Sequence, residues 1–225
     1  ERERQLAMAA EVVVERRGLF GGMIEMSVPR CMQDISRVRL VPDHQEVFAD
    51  AKDVVDRSLV VEILERDAHI HSHGEEKALR FHYTELAKAN EAFELTLEGF
   101  QTEAASILAP NLNPTKQTKV SLASGTQKVS KYKEEKDAAN DVHVCLALVS
   151  IPEHETDVLV TLNTPLSINP KSSSYDYVLK ETNTSKAASS GVPLTKEEQK
   201  NQSIHLFRTL VSSFRIVDYR LFGHE

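Results

Sequence analysis

The chain has 225 residues, 40% of them hydrophobic, and a formal net charge of -7, enough apolar content for one sizeable buried core. That acidic balance excludes unassisted binding to duplex nucleic acid, which rewards a concentrated lysine and arginine face. Two cysteines, Cys31 and Cys145, are too few for a secreted disulfide framework, and no apolar run reaches the roughly 18 residues that suggest a membrane span.

In chain order, residues 1–18 read as a flexible extension in which residues 5–16 form at most a short helix, with ordered structure expected from Leu19. The isolated nucleus is costly and nothing in the sequence shows what it packs on. Residues 19–29, LFGGMIEMSVP, place Gly21 and Gly22 between apolar residues and suit a bulged or hairpin-like edge. Asp34 is placed to cap one short helical turn, and residues 45–49, QEVFA, read as a strand. In residues 50–70, Val54, Val55, Leu59, Val60, Ile63 and Leu64 recur at helical spacing with Asp56, Glu62, Glu65 and Arg66 opposite them, which predicts a helix. A second helical piece is expected near residues 76–90 and a strand over 93–100.

The polar, lysine-rich stretch from residue 110 to 140 contains SGTQ between two β-like runs at 116–123 and 127–132, which predicts a hairpin. VHVCLALVSIP and TDVLVTLNTP are the clearest strands, both rich in β-branched residues, and the polar EHET joins them in an antiparallel pair. Residues 168–193 are too poor in large apolar side chains to offset ordering entropy and read as a mobile loop. Thr195 stands three residues before Glu198 as a capping box, ahead of an apolar stripe of Ile204, Leu206, Phe207, Leu210, Val211 and Phe214. The sum is an α+β chain, an α/β/α sandwich with a mostly antiparallel central sheet, in a single domain over 19–225.

Chemistry-bearing motifs are sparse: no G-x-G-x-x-G follows a strand, and no G-x-x-x-x-G-K-[ST], H-E-x-x-H or G-x-S-x-G is present. His69, His71 and His73 would point the same way on a strand and offer three imidazoles to a zinc ion. The segment instead reads as a fraying helix end with no geometry to hold the rings, so no metal is assigned. Cys145 reads as a small core residue, and Cys31 has no nearby histidine or lysine to activate it. Glu62 and Glu65, three apart on the expected helix, would sit side by side at a cost of a few tenths of a kcal/mol. A solvated face explains them unless a partner requires both.

Five blocks supply that partner by resemblance: LFGG at 19–22, VPDHQEVF at 41–48, SLVVEILE at 58–65, ETDVLVTLNTPL at 155–166 and LFG at 221–223. In order and spacing they resemble the Ran guanine nucleotide release factor family, across nearly the whole chain beyond the extension. The resemblance implies a fold shared with the photosystem PsbP proteins, a central antiparallel sheet of about six strands between helices. It also implies a non-catalytic protein without cofactor that binds the GTPase Ran, promotes loss of its nucleotide, supports nuclear import and works in nucleus and cytoplasm. A Ran-binding co-factor protein is a further implied partner, and a monomer is expected. The Ran-facing acidic surface would map onto Glu62 and Glu65, with Asp43, Gln45 and Glu46 contributing. Two rival readings are a PsbP-like scaffold with another partner and a histidine-rich, metal-dependent enzyme built around His69, His71, His73 and His82.

Overall fold

The structure, a computed structural model, describes residues 12–50, 57–112, 117–130, 135–173, 175 and 194–223. The chain opens with a hairpin: strand β1 (Val14–Leu19) turns through Phe20–Gly22 into β2 (Ile24–Pro29). The reversal needs left-handed backbone at Phe20 (φ 50), Gly21 (φ 67) and Gly22 (φ 88), which two glycines adopt without a Cβ penalty. Ordered structure therefore starts before Leu19, and residues 14–18, expected to belong to a flexible extension with at most a short helix over 5–16, are instead part of a strand. Val14–Leu19 extends because six residues pair with β2, whereas a lone helix there had no surface to bury. Residues 1–11 lie outside the described residues.

Strand β3 (Met32–Asp34) leads to a 3-10 turn, Ile35–Arg37, capped by the Asp34 carboxylate accepting from Ser36 N at 2.8 Å. Strand β4 (Gln45–Asp50) follows, then β5 (Ser58–Glu65). The helix expected over 50–70 is thus replaced by a strand, with residues 51–56 outside the described ones. Leu59 and Val61 enter one core while Leu64 packs on another. A strand that carries apolar residues on a buried face and on a half-buried one shows little polar alternation, and its apolar run imitates helical spacing.

Two helices come next, α1 (Ala68–His71) and α2 (Glu75–Ala89), then strand β6 (Glu94–Ala104) and the short α3 (Ala105–Leu108). The expected hairpin over 116–132 is a single strand, β7 (Lys119–Val129). Its SGTQ is no turn: a Cβ on Gly125 would stand 2.0 Å from the Thr96 carbonyl oxygen, so glycine is there to admit a neighbouring backbone. Strands β8 (Asn140–Ile151) and β9 (Thr156–Ser167) form the centre, joined by a tight turn ending at Glu155 (φ 47). Helix α4 (Lys196–Ser212) begins with the Thr195–Glu198 capping box, and β10 (Arg215–Ile216) and a 3-10 turn (Tyr219–Phe222) follow. Of the loop expected over 168–193, residue 174 and residues 176–193 fall outside the description, and Asn169 N is held by Asn140 Oδ1 at 2.7 Å.

Seven strands form one sheet in the order β3-β4-β5-β9-β8-β7-β6, and β1-β2-β10 form a second; every pairing is antiparallel. On one face of the large sheet, α4 and the small sheet enclose a core that includes Met26, Leu59, Val61, Val160, Leu162, Phe207 and Phe214. On the other, α2 covers Val144, Leu146, Leu148 and Leu159 with Leu79 and Tyr83. The α+β layering expected from the sequence holds, with seven strands in the central sheet and a second, three-stranded sheet beside α4.

Candidate functional site

The five sequence blocks meet at one end of the large sheet. The Phe20 amide donates to Glu46 Oε1 at 2.7 Å, tying the β1–β2 turn to the first residues of β4. Ile63 N donates to the His44 carbonyl at 2.9 Å, and Arg66 N to the Glu155 carbonyl at 2.8 Å, so the start of β4, the end of β5 and the β8–β9 turn lie side by side. Val217 N donates to the Met23 carbonyl at 2.8 Å, and Tyr219 stacks on His154 at 5.0 Å. The C-terminal turn thereby reaches the same end.

Glu62 and Glu65 are not neighbours on a helix. On a strand, residues three apart face opposite sides, and Glu62 shares the side of Leu64, while Glu65 shares the side of Ile63 and stands exposed at the strand's last position. What the structure brings together instead is Gln45 with Glu62, register partners across β4 and β5, where Gln45 Nε2 donates to Glu62 Oε1 at 2.6 Å. His44 Nε2 lies 3.6 Å from the same carboxylate, whose side chain keeps 25% exposure. Glu46 points to the other face and spends one oxygen on Phe20. Asp43 is exposed in the turn before β4, where Gln45 N closes on the Pro42 carbonyl at 2.9 Å.

The result is a negative rim around one end of the sheet rather than a pair on one helix. Asp43, Glu65, Asp67, Glu153 and Glu155 are exposed there. Two of the nearby cations are spent locally: Arg66 turns inward to Ser150 Oγ at 3.0 Å, and Arg220 pairs with Asp218. Among the described residues no ion pair engages Asp43 or Glu65. Asp67, Glu153 and Glu155 were not singled out from sequence; Asp67 comes just after β5, while Glu153 and Glu155 join the rim through the sheet's pairing, which the local pattern does not show.

The histidine set is also rearranged. His69 and His73 are exposed with their rings 5.5 Å apart, while His71 is buried with Nε2 2.7 Å from Asp157 Oδ2. The three-imidazole arrangement on a strand is therefore not formed, because residues 68–71 are helical. Burial works against the charged His71 ring, but Asp157 and Glu75 outweigh it and raise its pKa to about 9. Asp157 is itself held down to about 2: burial would raise it, but the His71 hydrogen bond at 2.7 Å and the His82 imidazole 3.6 Å away prevail. Cys145 is pushed up to about 12 by burial, which removes it as a nucleophile at neutral pH.

A family model described as "Ran-interacting Mog1 protein" matches residues 17–165. The probable ran guanine nucleotide release factor of Dictyostelium discoideum is 32% identical over 220 residues, covering 94% of this chain and 97% of that protein. The nuclear import protein mog1 of Schizosaccharomyces pombe is 26% identical over 161 residues, covering 66% of this chain and 75% of that protein. The crystal structure of the Saccharomyces cerevisiae Ran-binding protein Mog1p superposes with a TM-score of 0.64 at 21% identity, covering 95% of this chain and all of that one.

Proposed function

Given that this chain belongs to the Ran-interacting Mog1 family, we propose that it binds the GTPase Ran through the negative rim at one end of its large sheet. There it promotes release of the bound guanine nucleotide and so serves nuclear protein import. One observation carries the assignment of the surface: every block by which the family is recognised converges on that end, leaving Asp43 and Glu65 exposed beside the half-buried Gln45–Glu62 pair. Glu65 and Asp43 would meet the partner's basic groups directly. Glu62 and Glu46 hold the strand end and the turn in place, with Gln45 orienting Glu62.

A GTPase keeps its nucleotide with a phosphate-cradling lysine and Mg²⁺. A carboxylate-rich surface favours a conformation in which switch-region cations turn toward it and away from the phosphates, so release needs binding energy and no covalent step. The coupling is reciprocal: weakening nucleotide a thousandfold, about 4 kcal/mol, means nucleotide weakens this protein's grip equally. Action as a non-catalytic partner, in nucleus and cytoplasm, fits that chemistry.

Calorimetric titration of Ran tests the surface. Glu65→Lys and Asp43→Lys should each weaken binding at least tenfold, with Glu94→Lys, on the opposite edge strand, unchanged. A fluorescent-nucleotide release assay then separates exchange from binding alone. Equal affinity for wild type and the Asp43→Lys, Glu65→Lys double variant would discard this surface.

A further inference from the structure

We propose that His71, His82 and Asp157 form a binding site for a zinc-class divalent cation that fastens the α1–α2 pair of helices to the central strand β9. One ligand atom from each lies within 4.8 Å of the other two. The three residues are 8%, 8% and 1% exposed. Two imidazoles and one carboxylate, with a water completing a tetrahedron, are a ligand set that zinc uses.

The local structure explains how sequence-distant groups converge. His71 ends α1, which Asp67 caps by accepting from His69 N at 2.8 Å. His82 lies seven residues after Glu75, two turns along one face of α2, and Asp157 is the second residue of β9. His82 Nε2 stands 3.6 Å from Asp157 Oδ2, close to the separation of two ligands on one zinc ion, about 3.3 Å for bonds near 2.0 Å. The His71–Asp157 contact at 2.7 Å opens by less than ~1 Å to reach it.

Two further observations point to a ligand here rather than to a closed network. His82 Nε2 and Asp157 Oδ1 are buried without a hydrogen bond among the described residues, Oδ1 having only the Arg66 guanidinium at 4.0 Å as an ion-pair neighbour, and a buried polar atom without a hydrogen bond calls for an ion or a water. Glu75 Oε2 lies 3.6 Å from the far nitrogen of His71 and is itself held by Lys119 at 3.0 Å. A carboxylate behind a metal-bound imidazole is the outer contact such ligands commonly have, orienting the ring and raising its basicity. His69 and His73, exposed on the same stretch, take no part. The inference is independent of the Ran reading: its readouts need no partner protein.

The test uses the full chain, stripped with a chelator and dialysed, titrated with Zn²⁺ by calorimetry while histidine ring resonances are recorded. Saturable one-to-one binding is expected, moving His71 and His82 resonances and raising the unfolding midpoint, with Mg²⁺ inert. His82→Gln should weaken zinc at least a hundredfold while leaving the far-ultraviolet spectrum unchanged. Glu75→Gln should weaken it about 10- to 100-fold, and the His69→Gln, His73→Gln double variant should bind normally. Absence of saturable binding would overturn the proposal, as would binding that survives His82→Gln and disappears in the double variant.

Discussion

The Phe20 amide and the Glu46 carboxylate, 26 positions apart, meet at 2.7 Å and lock a turn that has three consecutive left-handed residues. Removing the acceptor leaves a part-buried donor without its partner. Glu46→Ala should therefore cost about 1–3 kcal/mol of folding stability, with Glu46→Gln losing less because its amide oxygen can still accept. Urea unfolding midpoints of the three proteins check this; equal midpoints would show the turn to be self-supporting.

The rim should act through charge at a distance as well as contact. Ran affinity is expected to fall as salt rises, because exposed carboxylates are screened once the Debye length contracts from about 10 Å at 0.1 M to about 3 Å at 1 M. The Glu65→Lys protein should show a shallower salt slope than wild type. Parallel slopes in titrations at several ionic strengths would put Glu65 outside the contact.

His143 predicts acid sensitivity. It is fully buried, and burial lowers its pKa from 6.5 to about 4, with the Glu98 carboxylate opposing and Lys200 adding to the shift. A depressed histidine pKa means that the unfolded chain takes up its proton first. The contribution is thus complete above pH 6.5 and is lost as pH falls toward 4, with a slope approaching 1.4 kcal/mol per pH unit. Measured between pH 7 and 4, His143→Gln should lose stability less steeply than wild type; identical slopes would refute the assignment.

Gly125 tests the reading of β7 as one strand. A methyl group there would also meet the Tyr83 hydroxyl at 2.6 Å, the same hydroxyl that donates to the Thr96 carbonyl at 3.0 Å. Gly125→Ala should destabilise by about 3 kcal/mol, at the upper end for overpacking, measured as a drop in thermal midpoint. A turn glycine with open space around it would tolerate the change.

How far the sequence could be read depended on how local each signal was. Strands β8 and β9, the Asp34 cap, α2 and the Thr195 capping box declare themselves within a dozen residues, and each is found. β5 was hidden by its burial: with Leu59 and Val61 in one core and Leu64 on the other, the cue left was its β-branched content. The SGTQ segment misled because glycine serves close approach as well as turns. For the site, Asp43, Gln45 and Glu46 lie at the start of β4 next to β5 instead of beside a helix, and the Glu62–Glu65 adjacency was an artefact of the helix reading. Asp157 lies in β9, which pairs with β5 across roughly ninety residues of sequence, and Glu155 stands in the turn just before it, a relation no local pattern carries.

The bond from Ser27 N to Ser213 Oγ, 2.8 Å long, spans 186 positions. At roughly 5–20 residues per second, a ribosome needs about 10–40 seconds to deliver the second partner after the first. Until α4 emerges, the β1–β2 hairpin has nothing to close against, and Met26 and Val28 stay wet. Vectorial synthesis thus leaves that apolar surface unfinished for as long as the intervening 186 positions take to be added.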